Sequence, residues 1–531
     1  MLQYTRTAFL ITALISALAI NAQEKTNDWF NSDLLDDQVA GISVDKTYAT
    51  LIDGRQGEEV VVAVIDSGVD IEHEDLVNVI WVNEDEIPDN GIDDDGNGYI
   101  DDIHGWSFIS GPGGDVHYDN LEFTRVYKEL KGRFEGKAKG DIAKEDKDDY
   151  KRFLYFEDQF GKRVAKAKGE YEEFKQVVDI YNYAKIQMEK VFGHEDYTLE
   201  DVKSLEGGDE ASNALRDFMV QALENDLEGA IDEGLEHFQN TLTYSYNLEF
   251  HSRDKVGDDP NDLSDRFYGT NRVEGPRADH GTHVAGIIAA ERGNGIGIDG
   301  VADKARIMVL RVVPDGDERD KDVANAIRYA ADNGAKIINM SFGKSYSPDK
   351  SYVDEAVKYA EGKGVLMIHA AGNSSKNNDK SNNFPNPVME DTREISPLWI
   401  EVGASGPEIE TLAASFTNYG KKAVDVFAPG VDINSTVPDS KYEENSGTSM
   451  AAPVVSGLAA LIWSYYPELK AKDVKDIVVN SYKWYGKIKV DHPGKSGKEV
   501  KFSKLSRTGG VVNAYNAFRM ANEKRKEKSE S

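Results

Sequence analysis

Apolar residues in this chain recur at two spacings, and the two alternate. Val60–Ile65 is a run of small and β-branched residues without a polar break, the pattern of a strand covered on both faces. Ile307–Val313, Ile337–Met340, Val365–Ile368, Trp399–Val402 and Val424–Phe427 read the same way. Between them, Asp322–Asn333 and Tyr352–Gly362 carry apolar positions at helical spacing, and Gly334 and Gly364 supply C-terminal stops. Strand and helix in alternation predict an α/β fold: a doubly wound parallel sheet with helices on both faces. Val454–Tyr465 is nearly all apolar and small. It is predicted as a central buried helix, with Pro453 close to its start, where a missing N–H is tolerated.

Between residues 113 and 272 the pattern changes. Lys, Glu and Asp dominate and β-branched residues thin out. Val164, Ala167, Tyr171, Phe174, Val178, Tyr181, Met188 and Val191 recur at spacings of three, four or seven, which predicts one long helix with a narrow apolar stripe. Ala211, Leu215, Phe218, Ala222 and Ile231 predict a second helix, weakened in its latter half by Gly229 and Gly234. The expected product is a helical hairpin or small bundle. Its stripe suits helix–helix packing, and no cofactor box accompanies it.

The first residues read as an export signal. Arg6 supplies a positive start, Ala8–Ile20 an apolar stretch, and Ala22 a small-residue cleavage point before Gln23. No later stretch is apolar for long enough to predict a membrane span in the mature chain. With 531 residues and a formal charge of −33, the chain repels nucleic acid and anionic membrane surfaces, so neither is an expected partner. There is no cysteine, which excludes disulfides and a thiol nucleophile.

Four segments carry chemistry. Asp66 closes the first strand pattern, in Val64-Ile65-Asp66-Ser67-Gly68. His280 lies in Asp279-His280-Gly281-Thr282-His283, Ser449 in Gly447-Thr448-Ser449-Met450-Ala451-Ala452-Pro453, and Asn373 in Ala370-Ala371-Gly372-Asn373. Serine is a weak nucleophile and needs a base beside it, itself held by a third group. Ser449 also opens an apolar helix, where its N–H favours developing negative charge.

In these segments, and in the order Asp, His, Ser, the chain resembles the subtilisin-like serine peptidases. The resemblance covers about residues 29–111 and 273–520. It implies an exported endopeptidase acting on protein or peptide substrates, with Asp66, His280 and Ser449 as the triad and Asn373 as the side-chain half of an oxyanion hole. The family motif puts the base first in His-Gly-Thr-His, so His280 is preferred to His283. Ser341-Phe342-Gly343 resembles the family's substrate-binding edge, and Ala371-Gly372 the opposite wall of the first pocket. Both walls are small or apolar and imply an apolar P1 preference. The expected organisation is a signal peptide over 1–22, a catalytic domain over 23–112 and 273–520, the acidic helical insertion over 113–272, and a charged tail over 521–531. The family's folding pro-segment has no evident counterpart in this chain.

One further motif points to a metal. Asp93, Asp95, Asn97, Tyr99 (through its carbonyl) and Asp101 follow the spacing of an oxygen-rich calcium loop. The twelfth position holds His104 instead of Glu, so a bidentate ligand would come from elsewhere, Asp102 being the nearest choice. Structural calcium is the only cofactor expected, and no organic one is. Two other readings stay open: a catalytically inert scaffold whose insertion binds a partner, and a processing enzyme with one narrow substrate.

Overall fold

The structure, a computed structural model, describes residues 28–530; the signal peptide expected over 1–22 lies outside them. Among the described residues the principal sheet has nine strands. They are β1 Val60–Asp66, β2 Gly105–Ser107, β3 Ala305–Arg311, β4 Ile337–Met340, β5 Leu366–Ala370, β6 Trp399–Ser405, β7 Val426–Pro429, β8 Lys483–Trp484 and β9 Gly510–Val511. Their order is β8-β9-β7-β6-β5-β4-β1-β3-β2, parallel throughout except for β8 against β9.

The principal α-helices among the described residues are α1 Glu122–Phe134, α2 Lys147–Phe192, α3 Leu199–Lys203, α4 Glu210–Glu224, α5 Leu227–Asn240, α6 Asp279–Ala289, α7 Asp320–Asp332, α8 Lys350–Gly362, α9 Thr448–Tyr465, α10 Ala471–Asn480 and α11 Ala514–Glu530. The β-branched run of β1 is explained by burial on both faces. Val62 and Val64 enter the core shared with α6 and α9, while Ala63 and Ile65 enter the core under α7 and α8. Each buried Val or Ile side chain contributes about 1.5–3 kcal/mol. Helix α9 is apolar enough to cross a membrane, the only one among the described residues, yet 94% of it is buried inside the fold.

Strand order reverses at β1. The chain steps to β3 and β2 on one side and to β4, β5, β6 and β7 on the other. Such a switch point opens a crevice at the carboxyl ends of the strands. Asp66 ends β1, and Ile65 pairs with Met340 at the end of β4.

Helix α2 runs for 46 residues, about 69 Å at the usual rise. It packs in two separate places. Near its start Phe153 and Phe156 join Phe123, Val126 and Leu130 of α1. Near its end Tyr181, Ala184 and Met188 join Met219, Ala222 and Ile231 of α4 and α5. The predicted stripe is only partly used, since Val191 is 59% exposed.

The second predicted helix is two. The chain breaks at Asn225-Asp226, where Asp226 adopts φ 45° and its carboxylate accepts the Gly229 N–H at 3.3 Å as a new N-cap. Gly234 is a contact point, not a weak link: a Cβ there would stand 2.3 Å from the Phe174 ring. At the other end of the chain, α11 runs unbroken across residue 520, and Ala521 is fully buried. The expected boundary of the tail therefore falls inside a helix.

Candidate active site

Asp66 is 1% exposed. Its Oδ1 accepts the Ser67 N–H at 2.7 Å and pairs with His280 Nδ1 at 2.6 Å. His280 sits in the first turn of α6. The next residue must be glycine, because a Cβ on Gly281 would stand 2.1 Å from the Gly68 carbonyl oxygen. Burial pushes the imidazole pKa down, but the charge and hydrogen bond of Asp66 outweigh it. With a smaller contribution from Asp279, the net shift is upward.

His283 differs in every respect. It is fully buried, its Nε2 faces the carbonyls of Ile433 and Glu443 at 3.0 Å each, and burial pushes its pKa down to about 4. It is a neutral packing residue that ties α6 to the hairpin Ile433–Val437/Lys441–Asn445.

The weight of Asp279 can be measured. Its carboxylate is 51% exposed and pairs with Arg277 Nε at 3.3 Å, so solvent and Arg277 screen it. Asp279→Asn removes a negative charge that favours the imidazolium. The acidic limb of the pH–rate profile should therefore move to lower pH, by a fraction of a unit. A limb that stays put or moves upward would contradict this.

Ser449 is the second residue of α9. Its Oγ donates to the Ser341 carbonyl at 2.9 Å, and Ser341 Oγ donates back to the Ser449 carbonyl at 2.8 Å. Ser341 directly follows β4, whose Met340 is level with Ile65, so Ser449 is tied to the strand end beside Asp66. In this arrangement the hydroxyl hydrogen is directed at the Ser341 carbonyl.

Asn373 is held in one orientation. Its Oδ1 accepts the Thr448 N–H at 2.9 Å and the Thr448 hydroxyl at 2.8 Å, which leaves Nδ2 as a donor. A Cβ on Gly447 would stand 3.2 Å from Asn373 Nδ2 and 3.5 Å from the Ser449 N. Two donors thus flank the space that Gly447 leaves open. The backbone of Gly372, at φ 101°, is tied to the same threonine through its N–H at 3.0 Å.

The segment expected as one wall of the first pocket is braced by asparagines that sequence reasoning missed. The Ala371 carbonyl accepts from Asn378 at 2.9 Å, Asn418 at 2.8 Å and Asn383 at 3.2 Å. Asn383 lies between the walls, within 2.7 Å of where a Cβ on Gly343 would be and 3.5 Å of one on Gly372. Its amide is polar and uncharged. The only advance signal was the density of Asn between residues 377 and 386.

Of the expected calcium ligands, Asp93 and Asp95 converge on one donor, the Asn97 N–H, at 3.0 and 2.8 Å, while Asp101 turns elsewhere. Asp95 meets Asp102 and Glu86, with one oxygen of each within 4.8 Å of the others. Asp93 accepts the N–H groups of Asn97 and Gly98. Asp101, in the left-handed region at φ 53°, turns its carboxylate to the N–H groups of Asn90 and Gly91. Tyr99 buries its ring, and its N–H donates to Asn97 Oδ1 at 2.8 Å. His104 is engaged elsewhere, through Nδ1 to the Trp81 carbonyl at 2.9 Å.

The amides of Asn83 and Asn97 each bridge Asp95 and Asp102, at 2.9–3.0 Å. Turned over, they would present oxygens. Three carboxylates and two amides form an oxygen donor set that suits a hard cation. Burial, helped by Asp95, pushes the Asp102 pKa up to about 6 against three hydrogen bonds from Tyr329, Asn97 and Asn83.

The sequence model described as "Subtilase family" matches residues 57–510. A "Thermophilic serine proteinase" from Bacillus sp. (strain AK1) is 46% identical over 186 residues, 35% of this chain and 42% of that one. "Thermitase" from Thermoactinomyces vulgaris is 41% identical over 186 residues, 35% of this chain and 61% of that one. A "Cell wall-associated protease" from Bacillus subtilis (strain 168) is 38% identical over 218 residues, 41% of this chain and 22% of that one. The chain thus spans between about a fifth and three fifths of the length of these relatives.

Proposed function

This chain belongs to the subtilase family, and on that premise we propose that it is an exported serine endopeptidase. Ser449 Oγ attacks the scissile carbonyl while His280 takes its proton at Nε2. Asp66 holds the Nδ1–H and stabilises the imidazolium that forms. The tetrahedral oxyanion is received by Asn373 Nδ2 and the Ser449 N–H. His280 then gives its proton to the departing amine as the C–N bond breaks, leaving an acyl-enzyme that water hydrolyses. The observation that carries this reading is the 2.6 Å contact between a buried carboxylate and an imidazole 214 positions apart, beside the strand end that holds Ser449. The orientation of Asn373 also supports it, because preorganised donors of this kind are worth about a hundred- to a thousandfold each in turnover.

Ser341-Phe342-Gly343 and Ala371-Gly372 are assigned to the edge and walls that receive the substrate, the peptide adding to the edge as a strand. Small and apolar walls with a neutral amide between them support an apolar P1 preference and disfavour charged P1 side chains. Export rests on the sequence of residues 1–22, with release to the periplasm or outside the cell. The insertion over 113–272 is assigned as a cap on the catalytic domain over 23–112 and 273–520. The test is a cleavage profile on a mixed peptide library. Internal cleavage after apolar residues is expected; end-trimming alone, or cleavage after charged residues, would refute the assignment.

Calcium is assigned to Glu86, Asp95 and Asp102, with the Asn83 and Asn97 amides completing the site. A cation bound only by the folded chain adds about 2.7 kcal/mol at a hundred times its Kd. Calcium should therefore raise the thermal unfolding midpoint of the wild type and chelator lower it, with the response lost in Asp95→Ala. If the wild-type midpoint ignores calcium, the loop is a turn and nothing more.

A further inference from the structure

In the sheet β4 lies between β1 and β5. The crevice opens over the end of β1, and the edge Ser341–Gly343 leaves β4 beside it. On the other side, Met340 is level with His369 of β5. His369 is fully buried. Its Nε2 stands 2.9 Å from the Phe342 carbonyl oxygen, and its Nδ1 stands 3.0 Å from Glu401 Oε2. A carbonyl oxygen only accepts, so Nε2 carries a hydrogen and donates it to Phe342. Glu401, on β6, is itself buried, and its Oε2 also accepts from Trp399 Nε1 at 2.9 Å.

Filling two adjacent strands with such a pair is costly. Burial pushes the Glu401 pKa up, against the opposing effects of His369 and Trp399. Apolar side chains at both positions would avoid desolvating polar groups, as the paired Ile368 and Ile400 do one residue earlier. What the polar pair adds is one donor fixed on one carbonyl. A trans peptide is planar, with its C=O and N–H directed opposite ways. The bond that holds the Phe342 carbonyl toward His369 therefore also aims the Gly343 N–H. It points away from β5, to the side on which β1 and the crevice lie. No group among the described residues accepts from that N–H.

From this geometry we infer that His369 is a positioning residue of the substrate edge. Through the Phe342 carbonyl it holds the Gly343 N–H as a ready donor to the main chain of a bound peptide, and Glu401 holds His369 in turn. This rests on the peptidase reading above. The Ser341 carbonyl touches the nucleophile Ser449, so the substrate residue at the scissile bond lies beside Ser341. Gly343 is two residues on, about 7 Å of extended chain. The group it meets is a substrate carbonyl about three residues ahead of the scissile bond. A substrate too short to reach Gly343 gains nothing from His369.

The test uses the full-length enzyme and two N-acetylated nitroanilides with the same apolar P1 residue, one carrying that residue alone and one carrying four residues. His369→Leu should lower kcat/KM for the longer substrate about two- to tenfold more than for the shorter, the size of one main-chain hydrogen bond. The loss should appear as a raised KM with kcat within about twofold, as expected of binding shared by ground and transition states. His369→Gln, which keeps an amide N–H, should recover most of it. Labelling of Ser449 by a small phosphonate should stay within about threefold in both variants. If His369→Leu leaves Glu401 too poorly paired to fold, His369→Leu/Glu401→Gln removes the charge and should show the same dependence on substrate length. Equal loss on both substrates, no loss on the longer one, or a Gln variant as impaired as the Leu variant overturns the inference. A wild type that cleaves neither substrate and does not label at Ser449 overturns the peptidase reading instead.

Discussion

Ser449→Ala is expected to lower kcat for peptide hydrolysis by about a millionfold, a magnitude carried over from the relative subtilisin. The fold should survive. Ser449 Oγ makes one hydrogen bond, to the Ser341 carbonyl, and its loss is worth about 1 kcal/mol. Alanine is also a better helix former than serine at the start of α9. The donors around Gly447 remain in place, because Asn373 is oriented by Thr448 and not by Ser449. The variant should therefore still bind peptides while failing to cleave them. Cleavage within tenfold of wild type, in a sample free of other peptidases, would remove Ser449 from the mechanism.

His280→Ala should be nearly as damaging, because base and nucleophile act as one unit. His283→Ala is the informative partner. Two histidines three positions apart share one helix, yet their surroundings assign them opposite roles. His280 is half-exposed and bonded to a carboxylate, whereas His283 is buried against two carbonyls and held neutral. Losing the His283 imidazole leaves those carbonyls without their donor, at a cost of about 1–3 kcal/mol in stability. It should leave kcat within about tenfold. If His283→Ala were inactive and His280→Ala active at the same folded fraction, the choice of base would be reversed.

The sequence was legible where a signal is local. Strands buried on both faces need continuous apolar runs, and β1, β4 and β6 begin at the predicted residues for that reason. The triad candidates and Asn373 sit inside short motifs, so each was nameable, and the structure brings His280 against Asp66 and Asn373 against the start of α9.

What escaped was set by partners far along the chain. Thr448 fixes Asn373 across 75 positions, and Asn418 braces Ala371 across 47. Arg125 and Lys344, from segments far apart in the sequence, meet at the Glu318 carbonyl. No spacing rule connects such residues. The acidic loop shows a related limit. A spacing pattern assumes one backbone path, but Asp101 takes a left-handed conformation that sends its carboxylate away, and Glu86 enters from outside the motif. The split of the second insertion helix turned on a single N-cap at Asp226, in a segment where glycines drew attention to the wrong positions.

The central claim is that Ser449 is a nucleophile activated by His280. Its most direct test is intact-mass and peptide-mapping analysis after reaction with a serine-directed phosphonate at neutral pH. One adduct per chain is expected in the wild type, mapped to Ser449. None is expected in Ser449→Ala, and labelling slowed by several orders of magnitude in His280→Ala. An adduct on another residue, or equal labelling of wild type and His280→Ala, would contradict it.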